Sequence, residues 1–120
     1  MFELPDEVTV LGDDSAAIVI VNVEGAVVLM NKAAEELFGV SADDMVGEFH
    51  ELLVPSDRRW GHQAYRRGYF ADPRDREMDP GLDPHLERPD GTQIPISAWL
   101  STVRSGGQMY AVARITERPA

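Results

Sequence analysis

Arg59, His62 and Arg66 stand at i, i+3 and i+7 in a stretch that reads as a helix over roughly 57–69. That spacing puts all three on one helix face. Trp60 and Ala64 occupy a neighbouring row that Arg67 continues, and Tyr65 and Tyr69 form a further i, i+4 pair. Cationic and aromatic side chains on one helix suit an amphiphile with an anionic head. The head would meet His62, Arg66 or the Tyr69 hydroxyl beside Trp60. The tail would meet Leu53, Ile94, Ile96 and Leu100. The competing reading is a set of surface ion pairs worth roughly 0–1 kcal/mol each. His62 is also the one histidine in that helix able to serve as an axial haem ligand, the lesser alternative.

Other chemistries find less support. Glu35-Glu36, Asp43-Asp44 and Asp13-Asp14 are sequence neighbours, and neighbours on a helix do not face each other as a general acid and base must. No Ser/His/Asp order, phosphate-cradling glycine loop or metal-spaced histidine pair occurs. With no cysteine among 120 residues, thiolate catalysis, disulfides and cysteine-based metal sites are excluded. The expectation is a domain that binds rather than catalyses.

Segments that would position these residues are legible from pattern. Residues 17–23 (AIVIVNV) form a continuous β-branched run, the mark of a strand covered on both faces. Glu24-Gly25 turns the chain into a second strand, 26–30. Asn31 suits an N-cap, and Ala33, Ala34, Leu37 and Phe38 follow at helical spacing up to Gly39. Ser41 with Asp44 opens another short helix ending at Gly47, and 48–54 reads as a third helical turn. Residues 71–84 are rich in proline and charge and read as a loop. Residues 85–88, 92–103 and 108–115 read as strands. In the middle one Ile94, Ile96, Ala98 and Leu100 share one face, and Gln93, Ser97, Trp99 and Ser101 the other. Pro95 points to a free edge or a bulge. Residues 1–14 are a lead-in, helix or added strand, before a domain over 15–118. Strands at both ends with helices between predict an α+β fold, one antiparallel sheet with its helices on one face.

The net charge is −10, from 11 basic and 21 acidic residues. Such a field disfavours nucleic acid and anionic membrane surfaces. The charge is uneven: residues 1–57 carry −12, with Lys32 their only base, residues 58–78 carry +3, and the rest −1. The one reversal of sign coincides with the helix carrying Arg59, His62 and Arg66. The acidic stretch is a solvated face or a surface for a basic partner. The longest apolar run, Ala16 to Val21, is far short of the roughly 20 residues a spanning helix needs. No secretory signal is visible, and a reducing cytoplasm fits the absence of cysteine.

The stretch 17–47, ELLVPSDR at 51–58, and RPDGTQIPISAWLS at 88–101 leading to RITER at 114–118 resemble PAS (Per-Arnt-Sim) sensor domains. Asn31 after the second strand, the A-A-E-x-L-F-G helix and the D-G-x-x-x-P-I strand carry the likeness. Residues 62–78 resemble a bacterial subgroup found at the N-terminus of actinobacterial multidomain regulators of an alternative sigma factor, upstream of phosphatase and anti-sigma kinase modules. Ten arginines to one lysine agree with a high-GC genome. The resemblance implies a five-stranded sheet, a cavity between sheet and helices, and signalling to domains further along the same chain. It also implies that covalent flavin and cysteine-linked chromophores are excluded, since the required cysteine is absent. Trp99, on the polar parity of its strand, is a candidate dimer anchor with Phe2 and Leu4; the competing reading buries it under residues 1–14.

Overall fold

The computed structural model describes residues 4–50, 55, 67–78 and 83–118. Its strands are β1 (Ala17–Asn22), β2 (Val27–Met30), β3 (Arg76–Glu77), β4 (His85–Glu87), β5 (Gln93–Ser105) and β6 (Gln108–Glu117). All pair antiparallel, in the order β2-β1-β6-β5, and the fifth position beside β5 is filled by two pieces, β3 and β4. The Met78 N–H donates to the Ala98 carbonyl and the Ile96 N–H to the Pro84 carbonyl. Ala98 and Ile96 are two apart and so point to the same edge of β5. β3 and β4 therefore lie end to end along that edge.

The expected five-stranded α+β architecture is present, with differences of detail. Residues 71–84 are not all loop, because Arg76 and Glu77 pair with Leu100 and Trp99 as β3. Both residues are exposed, so backbone bonding rather than burial holds them, and no apolar pattern marks them. Within the expected turn over 48–54, Phe49 bridges to Ala26; residues 51–54 lie outside the described residues. The expected helix over 57–69 is described from 67 onward and continues to residue 71. Pro95 stands where the β5–β6 ladder ends: pairing begins at Ile96 with Glu117, and the Pro95 carbonyl accepts from the Arg118 N–H. Its missing donor thus falls at the ladder's end.

The lead-in forms a short helix, α1 (Asp6–Thr9), and a 3-10 turn over Val10–Gly12. It packs on the face of the sheet opposite the other helices. Val8, fully buried, joins Ile18, Ile20, Val28, Tyr110 and Val112 in an outer cluster, with Leu4 packed against it. Val19 and Val21 go to the inner cluster, so β1 is apolar on both faces because both faces are covered. Ser105 Oγ donates to the Glu7 carboxylate and ties α1 to the end of β5.

The helices α2 (Lys32–Phe38) and α3 (Ala42–Met45) cover the inner face at the β1–β2 end, burying Ala34, Phe38 and Met45. Asn31 caps α2 by accepting from the Ala34 N–H at 2.9 Å. Gly39 closes it at φ 72°, a left-handed conformation that costs glycine little. From the far side of the fold Arg88 Nε donates to the Leu37 carbonyl at 3.0 Å, one of the last helix carbonyls lacking an intrahelical partner.

Candidate ligand-binding site

Alternation along β5 sends Ile94, Ile96, Ala98 and Leu100 to the inner face, each no more than 7 % exposed. Tyr69 joins them from the helical stretch over 67–71. It is 4 % exposed, in the same cluster as Ile94, Ile96 and Leu100. Its hydroxyl donates to the Arg74 carbonyl at 3.0 Å. The Phe70 ring meets it edge-on, centroids 6.1 Å apart. The Arg76 guanidinium lies 5.8 Å from the Tyr69 ring centroid, within cation–π range. Pairing of Arg76 with Leu100 puts that guanidinium there.

Four of the eight ligand-site candidates, Tyr69, Ile94, Ile96 and Leu100, are therefore together in one buried cluster. Leu53, Trp60, His62 and Arg66 lie outside the described residues. Arg76, over the Tyr69 ring, is a neighbour of this cluster that sequence reasoning missed. The available signal was its place in the positive island of 58–78, but nothing there placed it on a strand over an aromatic ring. Of the other cations in that island, Arg74 pairs with Asp72 at 2.9 Å, both well exposed.

Two histidines are accounted for elsewhere. Nδ1 of His50 lies 2.8 Å from the Gly25 carbonyl, and Nδ1 of His85 lies 2.7 Å from the Asp83 carbonyl. A carbonyl only accepts, so both rings carry the proton on Nδ1. Among the described residues no group of three or more His, Asp or Glu is arranged to hold a metal ion. No helix there is long and apolar enough to cross a membrane.

Asn31 does more than cap α2. Its Oδ1 also accepts from the Ile18 N–H at 2.9 Å, and its Nδ2 donates to the carbonyls of Ala16, Gly12 and Asp14 at 2.8, 3.2 and 3.3 Å. One side chain thus joins the lead-in, β1 and α2.

The outer face is unevenly covered. α1 sits over Ile18, Ile20, Tyr110 and Val112, while Trp99 remains 51 % exposed. The full-burial reading of Trp99 is not what the structure adopts. Its cross-strand neighbours are Arg114 on β6 and Glu77 on β3, and Arg114 pairs with Asp14 at 2.8 Å. Leu4 packs on the outer cluster; Phe2 lies outside the described residues.

Against known proteins, the family profile described as PAS fold matches residues 15–117. The oxygen sensor protein DosP of Escherichia coli is 29 % identical over 99 residues, which are 82 % of this chain and 12 % of DosP. The chain therefore spans only a small part of that relative's length. A PAS domain from Desulfitobacterium hafniense superposes with a TM-score of 0.77 at 18 % identity, covering 92 % of this chain and 99 % of that one. The PAS domain of the Cronobacter turicensis quorum-sensing receptor RpfR, solved in complex with BDSF, gives 0.72 at 17 % identity, covering 88 % and 96 %. At these identities the structural likenesses speak for the fold alone.

Proposed function

This chain belongs to the PAS-fold family, and on that premise we propose that it is a sensory module for a small apolar or amphipathic, fatty-acid-like molecule. The ligand lies between the inner face of β5 and the helical segment ending at 71. Ile94, Ile96, Leu100 and Leu53 take its tail. His62, Arg66 and the Tyr69 hydroxyl, beside Trp60, take its head. The observation that carries the reading is the meeting of Tyr69 with Ile94, Ile96 and Leu100 in one apolar cluster, on the stretch where the chain's charge turns positive. A quorum-sensing receptor PAS domain of the same fold, solved in complex with BDSF, supports it.

Occupancy reaches output through the end of β6. A ligand shifts an equilibrium only by its differential affinity for two states. Here those states differ in how residues 115–118 leave the sheet, and the output is carried by domains of the same chain acting in stress or sigma-factor regulation in the cytoplasm. The module itself is not an enzyme, and Trp99 with Phe2 and Leu4 joins two copies through the outer face.

Native mass spectrometry of protein purified without added lipid tests the reading. A retained small-molecule mass is expected, together with a rise in melting temperature on adding dodecanoic acid. A bare mass with no shift would leave a ligand-free interaction module. A second reading rests on the relative named an oxygen sensor. Haem iron is one group that binds oxygen reversibly, and its axial ligand here would be His62. Its sign is a Soret band after haem reconstitution that His62→Ala abolishes.

A further inference from the structure

Arg118 is the last described residue and follows β6 directly. Its N–H donates to the Pro95 carbonyl at 2.9 Å, prolonging the β6 side of β5 by one bond. Its side chain goes the other way. Nη2 donates to Asp83 Oδ1 at 2.8 Å and to the Pro84 carbonyl at 3.1 Å. Asp83 and Pro84 precede β4, on the edge of β5 opposite β6. One arginine thus crosses β5 and grips the far edge, beside a small notch lined by Glu77, Met78, Pro84, Ile96 and Ser97.

The Asp83 carboxylate is well exposed and the arginine about one-third so, but two features set this contact apart. Asp83 is the one described non-glycine residue with a positive φ, 51°. That conformation is uncommon outside glycine, though Asp and Asn tolerate it better than most, and it persists only where the surroundings enforce it. Arg118 Nε is buried with no hydrogen-bond partner, a state that costs free energy and that the bonds of Nη2 to Asp83 and Pro84 must outweigh. His85 adds a further tie, its Nδ1 donating to the Asp83 carbonyl and lying 3.9 Å from the carboxylate.

We infer that the Asp83–Arg118 pair is a latch that couples β3 and β4, the two pieces along one edge of β5, to the exit of the last strand. Displacing the edge releases residues 116–118, and pulling on those residues loosens the edge. The edge begins with Arg76, which lies over Tyr69, so the latch gives the proposed ligand wall a mechanical route to the chain's exit. The coupling itself does not depend on which ligand is bound.

Hydrogen–deuterium exchange on the 120-residue protein tests it, because coupling between two sites is reciprocal. Asp83→Asn keeps a residue tolerant of positive φ while removing the charge. It should speed exchange of the Thr116 and Arg118 amides, which point toward β5, about 3- to 10-fold, the order expected for losing one partly exposed charged pair. Arg118→Gln should speed exchange at Met78 and Ile96, whose N–H groups bond across the edge, by a similar factor. Amides of β1 should be unchanged in both. Asp83→Gly, which relaxes the backbone, should release residues 116–118 equally while the melting temperature holds or rises. Release at only one of the two places, no release, or a uniform rise including β1 would overturn the latch.

Discussion

The two faces of β5 share one backbone and one set of strand partners, yet they are built differently. Toward the helices Ile94, Ile96, Ala98 and Leu100 are buried in the same cluster as Tyr69. On the other face Trp99 is half exposed between Glu77 and Arg114. α1 buries only the part of that face made by β1, β2, β6 and the end of β5. The inner face is thus complete within one copy of the domain, and a ligand there must share space with its core. The outer face is finished over Ile18 and Ile20 and unfinished at Trp99. The difference separates two kinds of substitution: those that cost stability and ligand together, and those that change association alone.

Ile96→Ala breaks the comparison most severely. Truncating a buried isoleucine removes transfer free energy and leaves a cavity, typically 2–5 kcal/mol. We expect a loss of about 3 kcal/mol in urea unfolding, with reduced ligand retention in native mass spectrometry. Full stability with lost retention would show that the residue serves the pocket rather than the core.

Asn31→Ala comes next. It removes two bonds accepted from backbone N–H groups and three donated to carbonyls. Leaving a buried donor or acceptor unsatisfied costs about 1–3 kcal/mol. Because several of these groups are near solvent, the expected total is about 2–4 kcal/mol by the same measure. Asn31→Asp keeps the two bonds to N–H groups and loses the three to carbonyls. It should fall between wild type and alanine, and an aspartate as damaging as alanine would put the weight on the lead-in rather than on the cap.

Much of this was readable in the residues. Strict alternation in 93–100 separated Trp99 from the inner-face isoleucines, because a strand's side chains have a period of two. The continuous run at 17–23 announced coverage on both faces. Asn31 was legible as a cap, but its ties to Gly12, Asp14 and Ala16 are long-range and leave no local signature. β3 was hidden because its two exposed, charged residues pair only by backbone. Four helical residues after Pro5 are too short to declare themselves, and Val8 fixes them by packing against strands that follow later in the chain. Asp83 and Arg118 are 35 positions apart, a separation set by strand order and invisible in sequence spacing.

Trp99→Arg is the counterpart of Ile96→Ala on the open face. A half-exposed side chain stabilises its own fold little, so unfolding should move by no more than about 0.5 kcal/mol. Light scattering should show a lower dimer fraction, because a second charge beside Arg114 opposes burial of that surface. Unchanged mass would remove Trp99 from any interface. A large fall in stability would instead mean that the two faces are less separate than their burial implies.

The smallest effect belongs to neither face. At the turn between β4 and β5 the Asp90 carboxyl is held below its ordinary value, chiefly by the Thr92 hydroxyl and then by the Thr92 N–H, 2.9 Å from Oδ1. A carboxylate whose folded-state pKa is depressed contributes stability above its unfolded pKa of 3.8 and loses it as pH falls through the lower folded value. Asp90→Asn should therefore unfold at slightly lower urea than wild type at pH 6. The two midpoints should converge at the acid end. A gap that persists unchanged at pH 2.5 would mean that the turn depends on the shape of the side chain, not its charge. Since the carboxylate is fully exposed, the gap at pH 6 should also shrink with added salt as its attraction to Arg88 is screened, whereas the Ile96→Ala loss should not.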